Sequence, residues 1–172
     1  MIKYKIIGGL WRYDINIRCF HNPDEQNGYL SNRHLSDFKI DSIRFSSMEQ
    51  YMMYQKAIIF EDTEIAKKIL KTKDVSGIKA LGRQVSNYND TYWNGVRQII
   101  VYNGLLVEFS QNDDLKKRLL NTDNDILAEC AVQDKVRGIG LSMRDTNRWY
   151  MAKWRGEICI LQNIGEILSD VL

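Results

Sequence analysis

The sequence predicts an α+β fold, mostly helical with a small β-sheet. Three features predict it: apolar and polar residues alternate near the N-terminus, amphipathic segments fill the middle, and a short apolar run follows them. At 172 residues the chain is long enough for one domain with a sizeable core. Residues 1–172 are therefore expected to form a single domain.

The first strands are expected in "IKYKIIGGLWRYDINIRCF", where apolar and polar residues alternate around Gly8-Gly9. The next stretch, "HNPDEQNGYLSN", contains Pro23, the single proline of the chain, and has the composition of a loop. A second hairpin is predicted for "FKIDSIRF" (38–45), with Asp41-Ser42 at its turn.

The helical region is expected to begin near Ser46 and Ser47, which precede the capping-box partners Glu49 and Gln50 by three residues. Further helices are predicted over 62–72, 90–112 and 113–122, and a shorter helical piece over 75–85 should break near Gly82. The apolar run "DILAECAV" (125–132) predicts a buried strand, followed by a glycine-containing loop region and a closing helix over 163–172.

Composition narrows the classes of function. The formal net charge of +2 comes from 24 basic and 22 acidic residues that are interleaved, which does not give a nucleic-acid footprint. The sequence has no apolar run of membrane-spanning length, and its N-terminal apolar stretch is too short for a signal peptide. Three separated cysteines without CxxC or HExxH argue against a metal site and favour a reducing compartment, the cytoplasm. No cofactor is expected.

Glu49 and Lys56 are charged residues in an otherwise apolar segment, "FSSMEQYMMYQKAIIF". On a helix they lie within about 20 degrees of each other but about 10 Å apart along the axis, too far to pair. Tyr51, Ile58 and Ile59 make the other sides apolar, so this helix is expected to be buried nearly all round. Because unpaired buried charges are costly, both residues are expected to line a cleft; pairing with unrelated partners is the alternative.

Six blocks of sequence resemble the NADAR (YbiA-like) family in the order in which that family has them. They are "GYLSN", "FSSMEQYMMYQKA", "KALGRQV", "YWNGVRQIIVYNGLLVEFSQN", "LLNTDNDILAECAVQDKVRGIGL", and "WRGE" with "QNIGEIL". The resemblance extends from about residue 20 to the C-terminus. It implies a single α+β domain that hydrolyses N-glycosidic bonds.

The resemblance implies two substrate classes and does not decide between them. One is ADP-ribose attached to guanine in nucleic acid or nucleotides; the other is a ribosylamino-pyrimidine phosphate of riboflavin synthesis. A catalytically weakened module that binds ADP-ribose or a nucleotide is a further alternative, because the chain departs from the family. Arg137 stands where the family has tryptophan, "WRGEICILQNIG" separates Gly156 from Asn163, and the closing arginine is absent. The oligomeric state stays open.

The resemblance assigns catalytic roles to Glu49, Lys56 and Asp134. Cleaving a C–N glycosidic bond develops positive charge on the sugar, so carboxylates suit general acid/base and sugar-stabilising roles. Glu49 could instead cap the helix by bonding back to Ser46, and Asp134 could be a turn residue. Lys56 could attack C1 of the sugar as a neutral amine or act as a proton donor, and the sequence does not select between these.

Eight further residues are substrate-binding candidates. Arg83 suits a phosphate, Asn32 suits ribose or base, the two tryptophans suit stacking, and the two glycines would let amides approach a phosphate. Ordinary structural roles are open for each: a solvated arginine, a turn asparagine, core tryptophans. The eight are Asn32, Arg83, Trp93, Arg97, Gly138, Gly140, Trp154 and Asn163.

Overall fold

The structure is a computed structural model that describes residues 4–7, 10–13, 16–123, 125–133 and 138–156. Within these ranges it has the α+β, mainly helical fold that the sequence predicts. The closing helix predicted over 163–172 lies outside the described residues, as do Asp134, Arg137 and Asn163.

The strands of the described ranges pair into three sheets of two strands each. β1–β2 and β4–β5 are antiparallel, whereas β3–β6 is parallel. The hairpin between β4 and β5 turns at Asp41 and Ser42, as predicted, and their φ angles of 49° and 68° are those of a tight hairpin turn. The strands are β1 Tyr4–Ile7, β2 Leu10–Tyr13, β3 Ile17–Phe20, β4 Leu35–Ile40, β5 Ile43–Ser47 and β6 Ile126–Glu129.

The helices begin where side chains cap them, which confirms the predicted segments. Ser47, Asp62, Asp74 and Asn89 each accept a hydrogen bond from a main-chain amide in the first turn of a helix. The helices are α1 Met48–Ile59, α2 Thr63–Lys71, α3 Val75–Gly82, α4 Asp90–Gln111 and α5 Asp113–Leu120. Short 3-10 helices span Gly28–Leu30, Thr146–Trp149 and Met151–Lys153.

The chain divides into two compact units. The first comprises residues 1–31 and 117–172 and is built on the parallel β3–β6 pair. Cys19 lies opposite Ala128 in this pair, so Cys130, two residues further, projects from the same face. Both cysteines are free and buried in a core cluster with Ile139 and Leu141.

The second unit, residues 32–116, is organised around α1. This helix contacts α2, α3, α4 and β5. Glycines permit the closest approaches: a Cβ at Gly82 would lie 2.0 Å from the Met53 sulfur, and one at Gly104 would lie 2.6 Å from the Tyr51 ring. The expectation that α1 is buried nearly all round holds for its N-terminal half only, since Ile58 near its end is 41% exposed.

Glu108 is a buried carboxyl group inside the second unit. It lies on α4, is 4% exposed, and accepts a hydrogen bond from the Ser36 hydroxyl. Burial raises its pKa to about 8, and the bond from Ser36 only partly offsets this. The carboxyl is therefore protonated in the folded protein at neutral pH.

None of the helices in the described ranges is both long and apolar enough to cross a bilayer. Across the same ranges, no three His, Cys, Asp or Glu side chains gather in a way that could hold a metal ion.

Gly104→Ala should destabilise the protein by about 1–3 kcal/mol, because the new methyl group would overlap the Tyr51 ring. Gly95→Ala is the matched control on the same helix: nothing lies within 4 Å of a Cβ there, and alanine should stabilise α4 by up to about 1 kcal/mol. Urea unfolding of both variants measures the difference. Equal effects of the two substitutions would contradict the close approach of α1 and α4.

The free energy of unfolding should fall as the pH rises from 4.5 towards 8, because Glu108 ionises in the unfolded chain but stays protonated in the folded one. The slope due to this group is at most about 1.4 kcal/mol per pH unit. Glu108→Gln keeps the shape of the side chain but cannot ionise, so its unfolding free energy should depend less on pH. Urea titrations at several pH values test this, and identical slopes for both proteins would refute it.

Candidate active site

The first turn of α1 buries Glu49 without using it as a cap. Ser47 is the N-cap residue, and its hydroxyl accepts from the Gln50 amide at 3.2 Å. The side-chain oxygen of Gln50 in turn accepts from the Ser46 amide at 2.7 Å. Gln50 therefore has the capping role that the sequence also allowed for Glu49. Glu49 is 4% exposed, and its main-chain amide donates to the carbonyl of Asn32 at 2.7 Å. The structure thus brings Asn32 and Glu49 together.

Lys56 lies two turns further along α1, where the helix emerges from the core. Its ammonium donates to the carbonyl of Gly82 at 2.8 Å and lies 3.9 Å from the centroid of the Tyr88 ring. Partial burial lowers the pKa of Lys56, and the negative charge of Asp90 opposes that shift. The amine is therefore held in place and is more easily deprotonated than an exposed lysine.

The loop between α3 and α4 carries Tyr88, one of the two groups that hold Lys56. The Tyr88 hydroxyl donates to the Asp90 carboxylate at 2.7 Å. Partial desolvation and Asp90 together raise the pKa of Tyr88, and the positive charge of Arg97 opposes this. Tyr88 therefore remains a hydrogen-bond donor at neutral pH.

Asp62 fixes the position of this loop. Its carboxylate caps α2 by accepting from the Ile65 amide at 3.0 Å, and it also accepts from the amide and hydroxyl of Ser86 at 2.9 and 2.8 Å. Asn87 follows with a φ of 54°, in the left-handed region. The chain is thereby turned back so that Tyr88 reaches Lys56 on α1.

Three other candidates in the second unit occupy different environments. Arg83 is exposed at the C-terminal end of α3, directly after Gly82, the residue whose carbonyl binds Lys56. Arg97 is half-buried on α4, and its Nε has no hydrogen-bond partner among the described residues. Trp93 is 4% exposed, so it presents no open face for stacking. It is a core tryptophan, which was the alternative to a stacking role.

Three candidates of the first unit lie within the described residues: Gly138, Gly140 and Trp154. Gly140 is buried with a φ of 70°, and a Cβ there would lie 2.9 Å from that of Arg155. The adjacent Ile139 accepts from the Arg155 amide at 2.8 Å, so backbone pairing accounts for this glycine without a ligand. Trp154 is half-buried, and its indole nitrogen donates to the carbonyl of Arg148 at 3.0 Å. Gly138 is buried.

Sequence reasoning missed Tyr88 and Asp90, although it identified Lys56. The available signal was weak: an aromatic and an acidic residue in the loop "SNYND", directly before a predicted helix. The contact between Tyr88 and Lys56 depends on a turn that the sequence does not reveal. Chemically, a partly desolvated lysine can act as a nucleophile toward an electrophilic carbon or as a proton donor, and a buried carboxylate lies on the same helix.

Comparison with known proteins agrees with the motifs. The family model of the NADAR domain matches residues 19–171. A protein called N-glycosidase R617, from Acanthamoeba polyphaga mimivirus, is 42% identical over 127 residues, which cover 74% of this chain and 72% of that protein. Protein irg-1 of Caenorhabditis elegans is 34% identical over 131 residues, covering 75% of this chain and 60% of that protein.

A third relative is more distant. The riboflavin biosynthesis protein VVA0006 of Vibrio vulnificus is 27% identical over 121 residues, which cover 70% of this chain but only 32% of that protein.

A solved structure shares the fold. The NMR structure of the E. coli protein YbiA has a TM-score of 0.71 at 22% identity, over 91% of this chain and 86% of that one. The match of the family model over most of the sequence, together with the 42% identical relative, shows that this chain belongs to the NADAR family.

Proposed function

We propose that this protein is an N-glycosidase that hydrolyses the bond between ADP-ribose and a guanine base in nucleic acid or nucleotides. The observation that carries the proposal is the environment of Lys56. Its amine is half-buried, is held by the Gly82 carbonyl and the Tyr88 ring, and has a pKa lowered by partial burial. A relative that is 42% identical bears the name N-glycosidase, which supports the same reaction class.

In the proposed reaction, the neutral amine of Lys56 attacks C1 of the ribose and the bond from C1 to the guanine nitrogen breaks. The departing nitrogen takes a proton, for which Glu49 is the proposed donor. The C1–O4′ bond of the ribose then opens as the ring oxygen takes a proton from the attacking amine, which leaves an imine between Lys56 and the ring-opened sugar. Water then adds to the imine and releases ADP-ribose, so that the sum is substrate plus water giving ADP-ribose plus guanine. In the alternative, Lys56 remains charged and protonates the departing base while water attacks C1.

We propose that residues at the C-terminal end of α3 and beside the N-terminal end of α1 hold the substrate. Arg83 is exposed one residue beyond Gly82, and its guanidinium suits a phosphate of ADP-ribose. Asn32 is bonded to the helix turn that carries Glu49, and its side chain suits ribose hydroxyls. The half-buried Arg97, with its unpaired Nε, is a second proposed anion ligand. Asp134 and Asn163 keep the proposed roles that the family resemblance gives them.

A ribosylamino-pyrimidine phosphate is the second candidate substrate, and the name of the Vibrio vulnificus relative favours it. The two substrates share a sugar joined through nitrogen to a related ring, so the amine of Lys56 and the carboxyl group of Glu49 would serve both. A catalytically weakened nucleotide-binding module is the third reading, which rests on Arg137 and the interrupted C-terminal block.

We also propose that residues 1–172 form one domain, since the family model spans 19–171 and so includes parts of both compact units. The free thiols of Cys19 and Cys130 suit a reducing compartment, and the cytoplasm is the proposed location.

Incubation with a guanine-ADP-ribosylated oligonucleotide, followed by mass spectrometry, tests the proposed activity. The native protein should release ADP-ribose and restore guanine, and Lys56→Ala should lower the rate at least about 100-fold. Lys67→Ala is the matched control, because Lys67 is exposed and pairs only with Glu64 of its own helix among the described residues. Turnover of the riboflavin-type substrate alone would favour the second candidate, and binding of ADP-ribose without turnover would favour the third.

Borohydride separates the two roles of Lys56. If an imine forms, reduction during turnover should add the mass of ADP-ribose less one oxygen atom to the peptide that contains Lys56, because the imine forms with loss of water and borohydride then adds two hydrogens. Turnover without any trapped adduct would contradict the imine and assign Lys56 to proton donation.

Asp90→Asn should lower the pKa of Lys56 further, because it removes the negative charge that favours the ammonium form. The pH dependence of Lys56 modification by an amine-reactive reagent, followed by peptide mass spectrometry, reports this pKa without turnover. Asp37→Asn is the control, since Asp37 is exposed and pairs with Arg44. A pKa that rises in Asp90→Asn would refute the electrostatic role of Asp90.

A further inference from the structure

Two tyrosines near the C-terminal end of α1 are exposed: Tyr88, which lies against Lys56, and Tyr92, which shares a contact with Phe60. Tyr88 is 42% exposed and Tyr92, in the first turn of α4, is 58% exposed. Both contact the buried ring of Phe60, with centroid distances of 5.3 Å to Tyr88 and 6.2 Å to Tyr92. Phe60 is the C-cap residue of α1 and follows Lys56 by one helical turn. The two tyrosine rings are therefore linked through the buried ring of Phe60, and the ammonium lies against Tyr88.

The neighbouring polar groups hold this surface in place. The Tyr88 hydroxyl is tied to Asp90, and Asp90 also accepts from the Asn94 side chain at 3.0 Å. The amide of Tyr92 donates to the N-cap residue Asn89 at 2.9 Å. The Tyr88 ring is thus held through its hydroxyl, the Tyr92 backbone is held by the helix cap, and both rings stay accessible. A held ring such as Tyr88 gives up little conformational entropy on stacking, which is the property that a platform for a flat ligand needs.

We propose that Tyr88 and Tyr92 form the stacking platform for the flat ring of the departing base, and that Tyr88 couples this platform to the amine of Lys56. Lys56 covers one face of the Tyr88 ring at 3.9 Å, so a base that stacks on Tyr92 and reaches the edge of Tyr88 would bring its sugar toward the amine. The proposal rests on the proposed glycosidase function and names the group that recognises the base. It replaces Trp93, which is buried, and Trp154, whose indole nitrogen is bonded within the first unit.

The chemistry of the platform fits a purine or a fused pyrimidine more closely than a sugar or a peptide. Aromatic side chains stack on any base through its π-face, and two neighbouring tyrosines offer the area of a bicyclic ring. The nearby charge of Arg97, which acts on Tyr88, would favour a ring with electron-rich carbonyl oxygens. Guanine has such a carbonyl, and so does the pyrimidine of the second candidate substrate.

Binding of guanosine 5′-monophosphate, followed by NMR of protein with ¹³C-labelled tyrosine rings, tests the platform without turnover. The nucleotide should shift the ring signals of Tyr88 and Tyr92, identified from the Tyr88→Leu and Tyr92→Leu spectra, whereas ribose 5-phosphate should not. Tyr92→Leu should weaken nucleotide binding roughly tenfold or more. Tyr150→Leu is the matched control, since Tyr150 is 64% exposed and belongs to the other unit, and it should bind as the native protein does.

Tyr88→Phe and Tyr88→Leu separate stacking from the coupling to Lys56. Phenylalanine keeps the ring and loses the bond to Asp90, so nucleotide binding should change less than threefold. Leucine removes the ring, so binding should weaken about tenfold and the pH at which Lys56 becomes reactive should change. With the oligonucleotide substrate, Tyr92→Leu should raise KM with little change in kcat, while Tyr88→Leu should alter both.

The outcomes distinguish this proposal from the proposed function. Nucleotide shifts at both tyrosines without any glycosidase activity would support the platform and refute the function. Turnover that is unchanged in Tyr88→Leu and Tyr92→Leu would support the function and refute the platform. Nucleotide binding that leaves both ring signals unmoved, or that survives both leucine substitutions, would equally overturn the platform.

Discussion

The close packing of α1 is the constraint on which the second unit depends. Helices α3 and α4 approach it at Gly82 and Gly104, where no side chain fits between them. Polar groups on such a helix need specific partners because water does not reach them. Gln50 meets this need by donating to the carbonyls of Ile69 and Thr72 at 2.9 and 3.0 Å, at the end of α2. The same scarcity of water gives Glu49 and Lys56 environments that surface residues lack.

The end of α1 is where this dry interior meets solvent, and Lys56 lies at that boundary. Deeper burial would require its charge to be neutralised, and full exposure would leave its pKa that of an ordinary lysine. The Gly82 carbonyl and the Tyr88 ring hold the ammonium without a direct salt bridge to a carboxylate among the described residues. The position therefore balances two demands on a reactive amine: it must be ordered, and it must be able to lose its proton.

Most of the secondary structure could be predicted because capping residues and apolar periodicity are local signals. Ser47, Asp62 and Asn89 mark helix starts in the sequence as they do in the structure. The position of Glu49 and Lys56 on one face of α1 could be predicted for the same reason. Tyr88 could not, because its place is set by a bond between residues 24 positions apart, Asp62 and Ser86. The role of Trp93 could not be predicted either, because a tryptophan at a helix start has the same local sequence pattern whether it stacks on a ligand or fills the core.

The double use of the Asp62 carboxylate has a consequence for how the second unit moves. One oxygen holds the first turn of α2 and the other holds Ser86, so both segments are bonded to the same side chain. We expect fraying of α2 and release of the loop between α3 and α4 to be coupled through this carboxylate. The amides of Ile65 and Ser86 should accordingly share one opening rate and one protection factor in hydrogen–deuterium exchange. The geometry around Lys56 would then be gained and lost as a unit, in step with a helix that lies outside the site.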